Sequence, residues 1–192
     1  MSPASTASTT DQRNRRALVV RSLCELTRFV IGGREIGNNG GQLVNRWQRV
    51  TGNGSGDAWC ASFAVAAVVA VLRALFQGRV TFPLPLSGSC DVLLARARKL
   101  GIAHELRPGE EPQPGDLVLC LASDTDAVHV MVADDTPIAG PQWASVEGNT
   151  DSDGDREGDS VQGRTRGGPA DRNRYMAVRW LDVLTLPPLF NV

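Results

Sequence analysis

From Ala58 to Phe76 the chain is almost wholly apolar, with an unbroken run from Phe63 to Leu72 that ends at Arg73. A helix of that composition has no polar side to turn toward water, so other elements are expected to surround it. The run falls well short of the roughly 20 apolar residues that a bilayer crossing needs, and no membrane span is expected. The segment belongs in a globular core, and 192 residues with 42% apolar and 21% charged side chains suffice to build one. Twenty Lys and Arg against 21 Asp and Glu leave a formal charge of −1. That balance argues against a dedicated nucleic-acid binder, which would carry a strongly basic domain.

The apolar pattern divides the chain into helices first and strands afterwards. Residues 1–15 read as a disordered N-terminal tail, 16–186 as one domain and 187–192 as a C-terminal tail. Leu18, Val19, Leu23, Leu26 and Val30 follow helical spacing, and Gly32-Gly33 is expected to end that helix. Leu43, Val44, Trp47 and Val50 predict a short second helix stopped at Gly52. The apolar segment forms the third, with Gly78 as its stop, and Ser87-Gly88-Ser89 offers an N-cap for a fourth that runs to Leu100. Beyond Pro114-Gly115 come three apolar runs, Asp116 to Leu121, Val128 to Val132 and Trp143 to Glu147, which predict strands, with a last one from Tyr175 to Val183. The Gly-, Asp- and Arg-rich stretch Asn149 to Asn173 is expected to be a long loop. Helices followed by strands indicate an α+β domain with the N-terminal helices packed on an antiparallel sheet.

Chemistry is narrowed by scarcity. The four cysteines, Cys24, Cys60, Cys90 and Cys120, include no close pair of the kind zinc sites use, and only His104 and His129 supply imidazole. No metal or cofactor is therefore expected. Cys60 opens the apolar helix directly after a polar, Gly-rich turn, where free N–H groups and the helix dipole favour a thiolate. Cys24 and Cys120 lie in apolar faces and read as core residues, whereas Cys90 also opens a helix and is ambiguous. A cysteine nucleophile needs a base, and His129 on its apolar strand is a candidate; His104 lies in a charged connection. Glu147 and Asn149 are two apart, so a regular strand points both to one face, and either residue is placed to orient the imidazole.

Four segments in this order resemble the CHAP domains (cysteine, histidine-dependent amidohydrolases/peptidases) of the papain-like NlpC/P60 superfamily of peptidoglycan hydrolases. They are Glu35-Ile-Gly-Asn-Asn-Gly-Gly, Gly56-Asp-Ala-Trp-Cys60-Ala-Ser-Phe, Pro114-Gly-Asp-Leu-Val with Val128-His129-Val130, and Val146-Glu147-Gly-Asn149-Thr. The continuation through Arg164-Thr-Arg166 is similar to the segment that follows Glu-Gly-Asn in phage-endolysin relatives. The resemblance spans about residues 17 to 186 and implies a papain-like CHAP fold. It also implies that Cys60 attacks an amide carbonyl, His129 activates it, Glu147 orients His129, and Asn149 fills a further polar position. The implied substrate is the peptidoglycan stem peptide. One departure is Ala66-Ala67, where many relatives carry an aromatic residue.

Asn149, Asp151, Asp153 and Gly154 also match the first positions of a calcium loop, but Ser160 stands where the bidentate Glu belongs, so a solvated acidic loop is expected. The leading expectation is a cysteine amidase or endopeptidase acting on the cell wall. Met1 to Arg16 has no apolar signal region. Such an enzyme is expected to be made in the cytoplasm and to reach the wall through a holin, a secretion machine or lysis. The alternatives are a cytosolic papain-like protease, deamidase or acyltransferase, and an inactive papain-like interaction domain. Nothing in the sequence specifies an oligomeric state.

Overall fold

The computed structural model describes residues 9–151, 158–169 and 171–189. Four helices precede or flank one sheet: α1 (Thr9–Phe29), α2 (Gln42–Thr51), α3 (Cys60–Phe76) and α4 (Cys90–Lys99). The strands are β1 (Ala103–Leu106), β2 (Leu117–Leu121), β3 (Ala127–Ala133), β4 (Trp143–Thr150), β5 (Ser160–Arg166) and β6 (Arg174–Val178). They form one sheet in the order β1-β6-β2-β3-β4-β5, and every neighbouring pair is antiparallel. The architecture is α+β, as the order of apolar patterns predicts. No helix among the described residues is long and apolar enough to cross a membrane.

Helix α3 is the core of the domain. Thirteen of its 17 residues are buried, among them Ala61, Phe63, Val65, Val68 and Leu72. Helices α1 and α2 and strands β3 and β4 pack around it. Leu119 of β2, Val130 and Val132 of β3 and Val178 of β6 join Val65, Val68 and Leu72 in the main apolar cluster. On the opposite face of the sheet, Val118, Cys120, Met131, Trp143 and Tyr175 form a second cluster. Burial on both faces explains why β2 reads as a continuous apolar run instead of alternating. At the C-terminal end of α3 it is Gln77, ahead of Gly78, that first adopts a left-handed backbone (φ 51°), closing the helix through its N–H to the Arg73 carbonyl.

Four expectations need correction. Helix α1 begins at Thr9, inside the stretch expected to be a tail. Its first turns are held by Gln12 and Arg15, which both donate to the Leu186 carbonyl at 2.8 Å. The expected loop from Asn149 to Asn173 contains β5, whose half-buried Gln162, Arg164 and Arg166 give it a polar sequence. β1 had no apolar run to mark it and survives by pairing with β6. The last predicted strand stops at Val178, and Trp180–Val183 is a 3-10 turn whose Trp180 Nε1 donates to the Gly115 carbonyl at 2.8 Å. In the same Pro114-Gly115-Asp116 turn, Asp116 accepts from the Gln113 N–H (2.9 Å), and burial pushes its carboxyl up to about 7. That motif therefore acts through packing and turn geometry.

Candidate active site

Cys60 is the first residue of α3, and its position is set by what holds the preceding Trp59. The Trp59 indole donates to Glu35 Oε2 at 3.0 Å and stacks on Trp47 with centroids 5.3 Å apart. Glu35 Oε1 accepts from the Asn39 N–H, and Gln48 Nε2 donates to the carbonyls of Asn39 and Asp57. The Glu35 segment and the polar turn before Cys60 are thereby tied into one support. On the other side Gly148 of β4 faces Trp59: a Cβ there would lie 2.6 Å from Trp59 Cζ3 and 2.9 Å from Phe63 Cβ. Glycine is required at this position because the helix start approaches the strand backbone so closely.

The sheet opens where that helix arrives. β3 pairs with β4 only from Met131 to Ala133, opposite Glu147 to Ser145. Past Glu147, β4 loses its register with β5 until Thr150, and Asn149 takes a left-handed backbone (φ 58°). The backbone of Val130 is consequently available to hydrogen-bond Cys60. The strict alternation that would aim Glu147 and Asn149 at one face is interrupted by this bulge. Asn149 is buried beside the site, and the hydrogen bond to the imidazole goes to Glu147.

His129 lies on the same face of β3 as Met131, and Met131 is the register partner of Glu147. Its Nε2 is 3.2 Å from Glu147 Oε2, with both residues buried. Its Nδ1 makes no conventional hydrogen bond among the described residues and is the nitrogen left for Cys60, with which the ring interacts. Burial opposes the imidazolium, but hydrogen bonds and charge from Cys60 and Glu147 outweigh it and push His129 up to about 9. Cys60 is held well below the usual thiol range. The largest cause is the hydrogen bond with Cys90, which outweighs the cost of burial, and His129 and the Val130 backbone add to it.

Arg166 completes the row. Its Nε donates to Glu147 Oε1 at 2.7 Å and its Nη2 to Oε2 at 2.6 Å, a bidentate fork, while Ser145 Oγ donates to Oε1 at 2.6 Å. Burial alone would raise the Glu147 carboxyl; the hydrogen bonds and charges of His129 and Arg166 bring it down to about 2. Thiolate, imidazolium, carboxylate and guanidinium thus alternate in sign, so each buried charge has an opposite neighbour. Arg166 and Ser145 carry no isolated sequence signal as site residues. The hints to Arg166 are the similarity of the Arg164-Thr-Arg166 continuation to the segment that follows Glu-Gly-Asn in the family the chain resembles and the two-residue spacing of Arg164 and Arg166, which places both on one face of a strand. The Arg166 guanidinium also interacts with Asp171 and Tyr175, which line a cavity of about 650 Å³ together with Trp143 and Gly167.

The remaining candidates fall outside the site. Cys24 is buried against the Ala133 carbonyl (3.8 Å), and burial together with Asp135 and Asp134 pushes its thiol up to about 12. Cys120 is a buried residue of β2 opposite His129 in register, and His104 is half-exposed near Glu110. Cys24, Asp134 and Asp135 converge, but Arg28 bridges both carboxylates and occupies the place a cation would take. In the calcium-like stretch, Asp151 lies 3.9 Å from Arg164 and Asp159 pairs with Arg34 at 2.9 Å, whereas Asp153 and Gly154 lie outside the described residues. In comparisons with known proteins, no protein-family model matches this chain, and neither a curated protein nor a solved structure matches it.

Proposed function

We propose that this chain is a papain-like cysteine hydrolase of the CHAP type that cleaves amide bonds in the peptide part of peptidoglycan. The observation that carries the reading is the convergence of Cys60, at a helix start, with the buried His129–Glu147 pair at 3.2 Å. His129 takes the Cys60 proton, leaving a thiolate that adds to the carbonyl carbon. The free N–H groups of the first turn of α3 and their dipole favour the oxyanion that forms. His129 then gives its proton to the leaving amine, and water, deprotonated by the same imidazole, hydrolyses the thioester. Glu147 keeps the ring in one orientation throughout, and Arg166 keeps Glu147 ionised.

The wall substrate rests on the resemblance of the four segments around Glu35, Cys60, His129 and Glu147 to CHAP domains, and so does delivery by a holin, a secretion machine or lysis. The test is digestion of purified sacculi followed by mass spectrometry of the released fragments, alongside a panel of protein substrates. The expected result is new amine and carboxyl termini within the stem peptide for the wild type and none for Cys60→Ala. Cleavage of proteins but not sacculi would move the chain to a cytosolic papain-like protease. An unchanged rate in Cys60→Ala would remove the nucleophile assignment altogether.

A further inference from the structure

Cys60 does not stand alone at its helix start. Cys90, the first residue of α4, places its sulfur 3.8 Å from the Cys60 sulfur, and both side chains are buried. The approach is fixed by contacts distant in sequence. Gly88 presses on Asn53, donating its N–H to Asn53 Oδ1 at 3.1 Å, and a Cβ on Gly88 would overlap that side chain at 2.2 Å. Ser89 caps α4 by accepting from the Val92 N–H. Asp91 Oδ1 accepts from the Ala127 N–H at 2.7 Å, locking the start of α4 to the start of β3. Two helix N-termini therefore meet at the two sulfurs, and the meeting is held by the turn before Cys60 on one side and the strand of His129 on the other.

We propose that Cys90 is a positioning residue that donates its S–H to Cys60 and so holds Cys60 as the thiolate. The direction of the hydrogen bond follows from the surroundings. Cys60 faces the imidazole of His129 from β3, the Val130 backbone and Cys90 from α4. Cys90 faces Cys60 from α3, the Asp91 carboxylate on its own helix and Cys120 from β2, with no cation among them. Of the two thiols, Cys60 has the base and the stabilising charge, so it gives its proton to His129 and Cys90 keeps its own. The hydrogen bond to Cys60, then burial and the negative neighbours, push the Cys90 thiol well above its usual range, in keeping with its role as donor. When the thiolate attacks a carbonyl its sulfur loses charge and the Cys90 hydrogen bond weakens. When the thioester is hydrolysed and the thiolate leaves, the same bond re-forms and favours its departure.

The catalytic consequence rests on Cys60 being the nucleophile, but the thiolate can be read without any substrate. The experiment titrates Cys60 in the full chain by ultraviolet thiolate absorbance and by the pH dependence of its alkylation with iodoacetamide, with the site of labelling confirmed by mass spectrometry. Cys90→Ala and Cys90→Val bracket the cysteine in volume and donate no hydrogen bond, whereas Cys90→Ser restores a donor. A charge-assisted hydrogen bond of ordinary strength corresponds to a rise of about one pH unit in the Cys60 midpoint when it is lost, or about tenfold less thiolate on the acid side. That rise is expected in both Ala and Val variants and is expected to be absent, or much smaller, in the Ser variant. Midpoints unmoved in Ala and Val would overturn the proposal, as would a Ser midpoint that rises with theirs. If sacculi are not cleaved by the wild type yet the midpoints move as stated, the wall reading fails and the role of Cys90 stands.

Discussion

Replacing Arg166 by Met is expected to cost about 3–5 kcal/mol of stability at pH 7. Glu147 is fully buried, and its carboxylate depends on the two Arg166 hydrogen bonds at 2.6 and 2.7 Å. A carboxyl held at about 2 instead of 4.5 carries about 3 kcal/mol of stabilisation in its ionised form. Methionine keeps the apolar stem and removes the fork, so His129 and Ser145 are the carboxylate's remaining partners, part of that stabilisation is lost, and the buried charge is left half-compensated. Because the folded-state value is depressed, the wild type has the full benefit above about 4.5 and loses it as pH falls toward 2. The gap between the two proteins should therefore narrow in acid, to no more than about 1.4 kcal/mol at pH 3 on the same conversion, because His129 shares in holding the carboxyl down. Urea unfolding at pH 7 and pH 3 measures both numbers. A gap under about 0.5 kcal/mol at pH 7, or one as wide at pH 3 as at pH 7, would refute the reasoning. Glu147→Gln combined with Arg166→Met should cost less than the sum of the single changes, because the double variant leaves neither charge stranded.

Three further outcomes follow from the same geometry. Glu147→Gln should lower the alkaline limb of the pH–rate profile from about 9, since activity is lost as pH rises through the His129 value and Glu147 helps hold that value up. Asn149→Ala should leave that limb in place; a dead Asn149→Ala beside an unaffected Glu147→Gln would reverse their roles. Gly148→Ala should destabilise by about 1–3 kcal/mol, because the new methyl group meets Trp59 Cζ3 at 2.6 Å. Calorimetry gives the cost, and a shift in Trp59 fluorescence should accompany it. Cys60→Ala should unfold near the wild-type urea concentration while abolishing hydrolysis, and a thermal or urea midpoint far below wild type would mean the residue is structural.

What could be read in advance followed from local rules. An apolar helix that starts after a Gly-rich turn is visible in one window of sequence, and so is the helix N-terminus that favours a thiolate at Cys60. The residue types for a base and an orienter were equally plain in His129 and in the pair Glu147 and Asn149. The choice between those two was not, because alternation along β4 fails at a bulge against β5, and that bulge depends on strand pairing that the local sequence does not set. The strand β5 was hidden for a related reason. Gln162, Arg164 and Arg166 are half-buried beside Glu147, Ser145 and Trp143 and have polar side chains, so their sequence carries no apolar alternation and resembles a loop.

The sequence by itself determined an α+β chain with a buried central helix and a cysteine at its start. Those features depend on periodicity and on residues a few positions apart. The tertiary structure alone decided which charges and thiols meet. Arg166 reads as one of many arginines in a Gly- and Asp-rich stretch until β5 lies beside β4 and brings it to Glu147. Cys90 reads as a helix-opening cysteine until Gly88 docks on Asn53, 35 residues away, and brings its sulfur to Cys60. A buried ion pair or a pair of thiols is defined by partners, and partners distant in sequence become neighbours only when the sheet register and the packing of helices on it are set.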